Sequence, residues 1–293
     1  MRNLFLLTFF AISLGVAGCG VPANNTNVSN LNLNSNMNSN MNSNMHENAN
    51  MNSNANSNSA ASSSIIVAPE PTEYQATVTL KLEALGSEQK TALPPLSAQV
   101  ARSGSDRRMV FTMPAGGRVV YLDKAGTNYM VLPDKKQYAE INQESTGFTV
   151  RQMLMPEQIV ERVKAMEGVR LVGEEKYNGR DAVRYAYGAV SDTQTQAGQV
   201  ATESFLIVDK ETGLPLRSEI VSQSQSGGNV QGYKGIRVVT EMTDIQMTTT
   251  PADFNEPTDF QKIESEQIRG QIDMMFNAVA GMLMQALNQG QQR

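Results

Sequence analysis

From Thr72 onward the chain keeps a period of two. In YQATVTLKLEA, Tyr74, Ala76, Val78, Leu80 and Leu82 face one way, and Gln75, Thr77, Thr79, Lys81 and Glu83 face the other. Successive side chains point to opposite faces only in a strand, so this is a half-buried antiparallel strand. Leu96, Ala98 and Val100 repeat the pattern, as do Met109, Phe111 and Met113. GRVVYLD and TNYMVLP read as two strands joined at Asp123-Lys124-Ala125-Gly126. LVGEEKYNGRDAVRYAYG reads as a hairpin turning at Asn178-Gly179, and SFLIVDKETGLPLRSEIV as one turning at Asp209–Gly213. VVTEMTDIQM closes the series. Strands spaced about ten residues apart predict a large antiparallel sheet or partial barrel.

Two helices interrupt the strands. In MPEQIVERVKAMEG, Pro156 suits the first turn, Ile159, Val160, Val163 and Met166 share a face, and Gly168 ends the helix. A second helix runs from about Glu264 to Asn288, with Ile268, Ile272, Met275, Phe276, Val279, Met282, Leu283, Ala286 and Leu287 in one stripe. About 190 residues, 72–262, suffice for one domain with a sizeable core.

What precedes this domain cannot fold. Residues 35–64 are almost wholly Asn, Ser, Met and Ala, which offer too little apolar surface to offset ordering entropy. Some forty-five such residues have a reach of roughly 35–40 Å. Before them, Arg2 gives a positive start, and Leu4 to Val16 form an apolar run too short to span a bilayer. The run ends in Val16-Ala17-Gly18-Cys19, which resembles the bacterial lipobox, whose Cys becomes the lipid-bearing first residue. Cys19 is the only cysteine in the sequence. Several acyl chains on it would anchor stably, at about 0.8 kcal/mol per buried methylene. The expected organisation is therefore a lipoprotein signal peptide at 1–18, a disordered tether at 19–71, the β domain at 72–262 and a C-terminal helix at 263–293. Gly20 rather than Asp follows the Cys. By resemblance to known sorting rules this favours the outer membrane, facing the periplasm, or the cell surface.

The composition excludes several function classes. The net charge is −5, and −6 once Arg2 is removed with the signal peptide, so no nucleic-acid partner is expected. The β domain contains neither His nor Cys, which removes the usual nucleophile pairs and common zinc sites. There is no phosphate-cradling glycine motif and no GxSxG elbow. Glu174-Glu175 are adjacent, and in a strand they point to opposite faces. Carboxylates from separate strands could still meet. The expectation is no enzyme, no cofactor and no metal site in the domain. In the tether, Met37, Met41, Met45 and Met51 with His46 suit Cu(I), or are a drifting repeat without metal.

What remains is binding. A twisted sheet of this length can curl around a helix and leave a concave apolar face. The candidate cavity residues are Tyr74, Val78, Leu80, Met109, Phe111, Tyr129, Val131, Tyr185, Phe205 and Ile207. Ile272, Met275, Phe276 and Val279 on the terminal helix are candidate lid residues. Methionine adapts to varied apolar ligands, yet such side chains equally well fill each other and leave no cavity. The terminal helix is then packed core, a lid, or a surface for an envelope protein partner or membrane. Arg269 is its only cation before Arg293, which argues against a membrane-surface helix.

The order of these features resembles the outer-membrane lipoprotein-sorting carrier superfamily. The likeness covers about 72–262. It rests on YQATVTLKLEA, on RSGSDRRMVFTMPAGGRVVYLDKAGTNYMVLPDKKQYAEI, on the Asp-x-x-Thr-Gly-Leu-Pro hairpin within FLIVDKETGLPLRSEI, and on the closing VVTEMTDIQMTTTPADFNEP. The anchor with its long tether departs from the soluble carrier, and the added C-terminal helix departs from the lipidated receptor. The resemblance implies mainly antiparallel β with α, an incomplete half β-barrel closed by helices, holding the acyl chains of a lipid or lipoprotein. It carries over no catalytic residue. Arg102, Arg107 and Arg108 are candidates for a ligand headgroup or, alternatively, surface and cross-strand charges.

Overall fold

The computed structural model describes residues 68–86, 90–112, 117–146, 151, 155–165, 168–192, 197–225, 233–271 and 274. The signal peptide, Cys19, the Met-rich tether through residue 67 and all four lid candidates lie outside these residues. The strands are β1 (Glu73–Gly86), β2 (Lys90–Ala92), β3 (Leu96–Ser103), β4 (Asp106–Thr112), β5 (Arg118–Lys124), β6 (Thr127–Leu132) and β7 (Gln137–Ile141). After a connection bearing a one-turn helix at Gln143–Thr146 and a longer helix, α1 (Glu157–Ala165), come β8 (Arg170–Tyr177), β9 (Arg180–Asp192), β10 (Gln199–Asp209), β11 (Pro215–Ser224), β12 (Tyr233–Gln246) and β13 (Gln261–Lys262).

Two meanders meet on one strand. The order is β13-β7-β6-β5-β4-β3-β1-β12-β11-β10-β9-β8, with β2 also paired to β1. The expected antiparallel β fold therefore forms, as an open sheet with β13 and β8 at its edges. Every pairing is antiparallel except β13 on β7. β13 covers the β7 edge through Gln261 N–H to Lys136 O and Ile263 N–H to Tyr138 O, a device that blunts edge-to-edge association.

The turns follow their residues. Asn178 and Gly179 both have positive φ (49° and 80°), as a two-residue primed hairpin turn requires. Asp209 organises the β10–β11 turn: its Oδ1 accepts from Glu211 N, Thr212 N and Thr212 Oγ1, and its Oδ2 from Arg180 Nε. Gly213 closes that turn at φ 65°, and a Cβ there would lie 1.9 Å from the Ala68 carbonyl oxygen. Ala68–Glu70, assigned to the tether by composition, thus pack on the domain. Gly213→Ala should cost about 1–3 kcal/mol, from left-handed backbone strain plus displacement of Ala68. Denaturant melts that match the wild type would show that this docking contributes nothing.

Cross-strand partners share a face, so the register divides the sheet. One face carries α1, whose Val160 packs with Val183, Tyr185, Leu206 and Val208. Farther along the same face, Tyr74, Val100, Met109, Tyr121 and Met130 enclose Met155, Leu214 and Ile268. Ile268 lies in a helical stretch, 265–271, where the C-terminal helix is expected to start. The opposite face of β3–β7 is also covered: Val120, Leu122, Tyr129 and Val131 pack with Phe254 and Phe260. No helix among the described residues is long and apolar enough to cross a membrane.

Candidate functional site

The α1-bearing face changes character along the strands. Leu206 pairs with Ser218, Ser218 with Thr240, Thr240 with Leu80, and Leu80 with Leu96. A second row runs Ser204, Ile220, Val238, Leu82. Leu80, Leu96, Ile220, Val238, Ser204, Ser218 and Thr240 are all half-buried. The apolar ones among them pack into none of the buried clusters. In these two rows the side chains are aliphatic or hydroxyl-bearing, with no charge among them; the charges in phase with this face stand at strand ends, Asp181 paired with Lys176 and Lys234 beyond Ile236.

Most charges of these strands stand on the other face. There Glu241 binds Lys81, Arg217 and Tyr177; Arg217 also binds Glu219; and Arg237 bridges Glu219 and Glu83. Alternating cations and anions in neighbouring rows solvate that surface. Arg237 beside Glu219, and Lys81 beside Glu241, hold both carboxyls below the usual carboxylate range.

At the far end of the α1-bearing face lies a buried polar cluster. Arg107, 3% exposed, donates to Gly104, Ser105 and Asp106 carbonyls and to Glu70 Oε2. Arg102 also holds Glu70 Oε2, at 2.7 Å, and Tyr74 donates to Glu70 Oε1. Glu157, the first residue of α1, faces Arg107 Nε at 3.5 Å and Arg151 Nε at 3.6 Å. These separations fall outside hydrogen-bond range for charged groups, so charge alone holds the carboxylate. Burial, reinforced by Glu70, pushes its pKa up. Burial likewise raises Tyr74, helped by Glu70, and Tyr121, helped by Asp123. The cluster is closed on itself: each cation faces a carboxylate of the same chain. It ties α1 and the entering chain to the sheet.

The sequence candidates separate accordingly. Tyr74, Val78, Leu80, Met109, Phe111 and Tyr185 share the α1-bearing face. Tyr129 and Val131 pack on the opposite face under Phe254. Phe205 pairs with Ala186 and Glu219, and Ile207 with Arg184 and Arg217, which places both there too. A single cavity lined by all ten is not what this sheet builds. Of the three arginines, Arg102 and Arg107 are engaged by Glu70, and Arg108 faces Asp253 at 3.7 Å. Glu174 pairs with Lys210 and Glu175 with Arg184, so they form no carboxylate pair. Among the described residues no acidic, His or Cys cluster could hold a metal.

Sequence reasoning missed the hydroxyl positions and Glu157. Arg107 had a signal: it falls in phase with Met109 and Phe111, where a charge is out of place unless buried with partners. Two surface recesses, of about 480 and 210 Å³, lie beside the Asn178–Gly179 turn and include Arg180. The larger is walled by Asp181, Asp209, Lys210 and Glu211 and does not suit an apolar ligand.

No family model matches the chain. No curated protein matches it in sequence. Solved structures do. An uncharacterised conserved protein from Thermus thermophilus is similar at 17% identity and TM-score 0.35, over 66% of this chain and 90% of that one. The lipoprotein LppX of Mycobacterium tuberculosis is similar at 11% identity and TM-score 0.31, over 60% and 88%. LprF from Mycobacterium bovis is similar at 11% identity and TM-score 0.32, over 63% and 90%. None of these scores reaches 0.5.

Proposed function

We propose that this protein is an envelope lipoprotein, anchored through lipid on Cys19, that binds acyl chains without covalent chemistry on the α1-bearing face of its sheet. The sheet acts as a half-barrel, and closing its opening is the role assigned to the C-terminal helix expected at 263–293. The anchor places it at the outer membrane, where the tether lets the domain reach a lipid or lipoprotein donor for transport or sensing. One observation carries this reading: two rows across β10, β11, β12 and β1, largely half-buried, carry no charge, while Lys81–Glu241, Arg217–Glu241 and Arg237–Glu219 pair on the other side. A stable sheet could spread its charges over both faces. Keeping them off these rows leaves the rows fit for hydrocarbon. Covering about 300 Å² of acyl surface at about 25 cal/mol per Å² contributes roughly 7 kcal/mol before ordering costs.

Native mass spectrometry of the protein, purified gently from a lipid-rich bacterial envelope, tests this. Lipid or acylated peptide should co-purify. An apo mass, with no uptake of a fluorescent fatty acid, would favour a second reading, a protein-interaction module with a filled interior. Full burial of Tyr74, Tyr121, Met155, Leu214 and Ile268 supports that alternative for the β1–β7 half.

A further inference from the structure

We infer that β8 is a docking edge for a second copy of this chain, the two β8 strands pairing antiparallel about a two-fold axis so that Arg170 of each faces Glu175 of the other. The two ends of the sheet differ. β7 is covered by β13, whereas β8 pairs with β9 and with no other strand among the described residues. On that open edge Leu171 and Val172 stand side by side, 52% and 54% exposed. An apolar, unpaired edge is a template for another strand. Its charges select which strand. Arg170 is exposed and has no ion-pair partner among the described residues. Glu175 faces Arg184 at 3.7 Å, too far for a hydrogen bond. Arg170 pairs with Ala186 and Glu175 with Ala182, which puts both on the face opposite α1. Set against each other in two copies, they make two ion pairs. Val172 then lies beside the axis and is covered by its counterpart. Sliding the strands by one residue would set Arg170 against Glu174 or Lys176, whose side chains point to the other face. The bulge between Leu171 and Gly173 interrupts the ladder at Val172, and the overlap is short, so the dimer is of the small, transient class. An axis normal to the sheet keeps both α1-bearing faces on the same side.

The full chain would be prepared with Val172→Cys or with Lys176→Cys, oxidised mildly, and its disulfide-linked peptides mapped, which separates these links from any at Cys19. In the inferred register the two 172 positions approach within the span a disulfide bridges, about 4.4–6.8 Å between Cα atoms. The two 176 positions lie about seven residues, roughly 24 Å, apart along the strands. Val172→Cys should therefore give at least about tenfold more linked dimer than Lys176→Cys. Adding Arg170→Glu should lower that yield severalfold, and adding Glu175→Arg as well should restore it. Equal linking at both positions is random collision and overturns the inference. So does a Val172→Cys yield that ignores the charge changes, since the register then fails. A chain that links at neither position and sediments as a monomer leaves the edge to a different strand, and likewise overturns it. None of these outcomes bears on acyl binding.

Discussion

Replacing Arg107 with alanine should destabilise the domain by about 3–5 kcal/mol, the scale for stripping one partner from a buried charge network. Its guanidinium is almost inaccessible, and it faces Glu70 at 3.0 Å and Glu157 at 3.5 Å. Without it Glu157 keeps only Arg151, and three carbonyls of the 104–106 turn lose their donor. Glu157→Gln should cost much less, since it removes a desolvated charge and keeps the shape. The two variants combined should be non-additive, because each acts on the same contact. Denaturant melts of the single and double variants give the coupling directly; full additivity would mean the two groups do not sense each other.

The same cluster sets an unusual pH dependence. Burial raises Glu157 above its ordinary 4.5. Between that value and the raised one the folded state binds the extra proton, so this group's contribution falls as pH rises. Glu219 and Glu241, lowered by Arg237 and Lys81, act in the opposite sense. Their stabilisation is present above the ordinary carboxylate range and is lost as pH falls through their folded values. Glu157→Gln should therefore abolish only the loss of stability just above pH 4.5 and leave the steeper acid loss in place.

How far the sequence could be read depended on how many faces a strand had covered. In β1, with one apolar and one polar row, Tyr74, Val78 and Leu80 were legible as one face. The Asn178-Gly179 turn was legible because few residue pairs accept two positive φ angles. In β6 and β10 the runs Tyr129-Met130-Val131-Leu132 and Phe205-Leu206-Ile207-Val208 are apolar throughout. Both faces are covered there, so alternation vanishes and phase cannot be chosen from the residues. That is why Tyr129, Val131, Phe205 and Ile207 fall opposite the other candidates. Glu157 was hidden for another reason: at the first turn of an amphipathic helix an acid is ordinary. Only the tertiary approach of Arg107 and Arg151 makes it a buried charge.

The sharpest test of function uses two neighbours on β1. Leu80 lies between Leu96 and Thr240 in the uncharged row, while Lys81, one residue on, pairs with Glu241 on the opposite face. Leu80→Asp should lower acyl binding by about a hundredfold, because the new carboxylate meets no cation there and must be desolvated by the ligand. As a half-buried position it should cost the fold only about 1–2 kcal/mol. Lys81→Ala should leave binding unchanged and stability within about 1 kcal/mol, as for an exposed ion pair. Lipid retained in the envelope-purified variants, compared with the wild type, separates the readings. Loss in Leu80→Asp alone places the ligand on the α1-bearing face. Equal retention in both removes that face as the binding surface. Equal loss in both would trace the effect to the strand's integrity rather than to the face it presents.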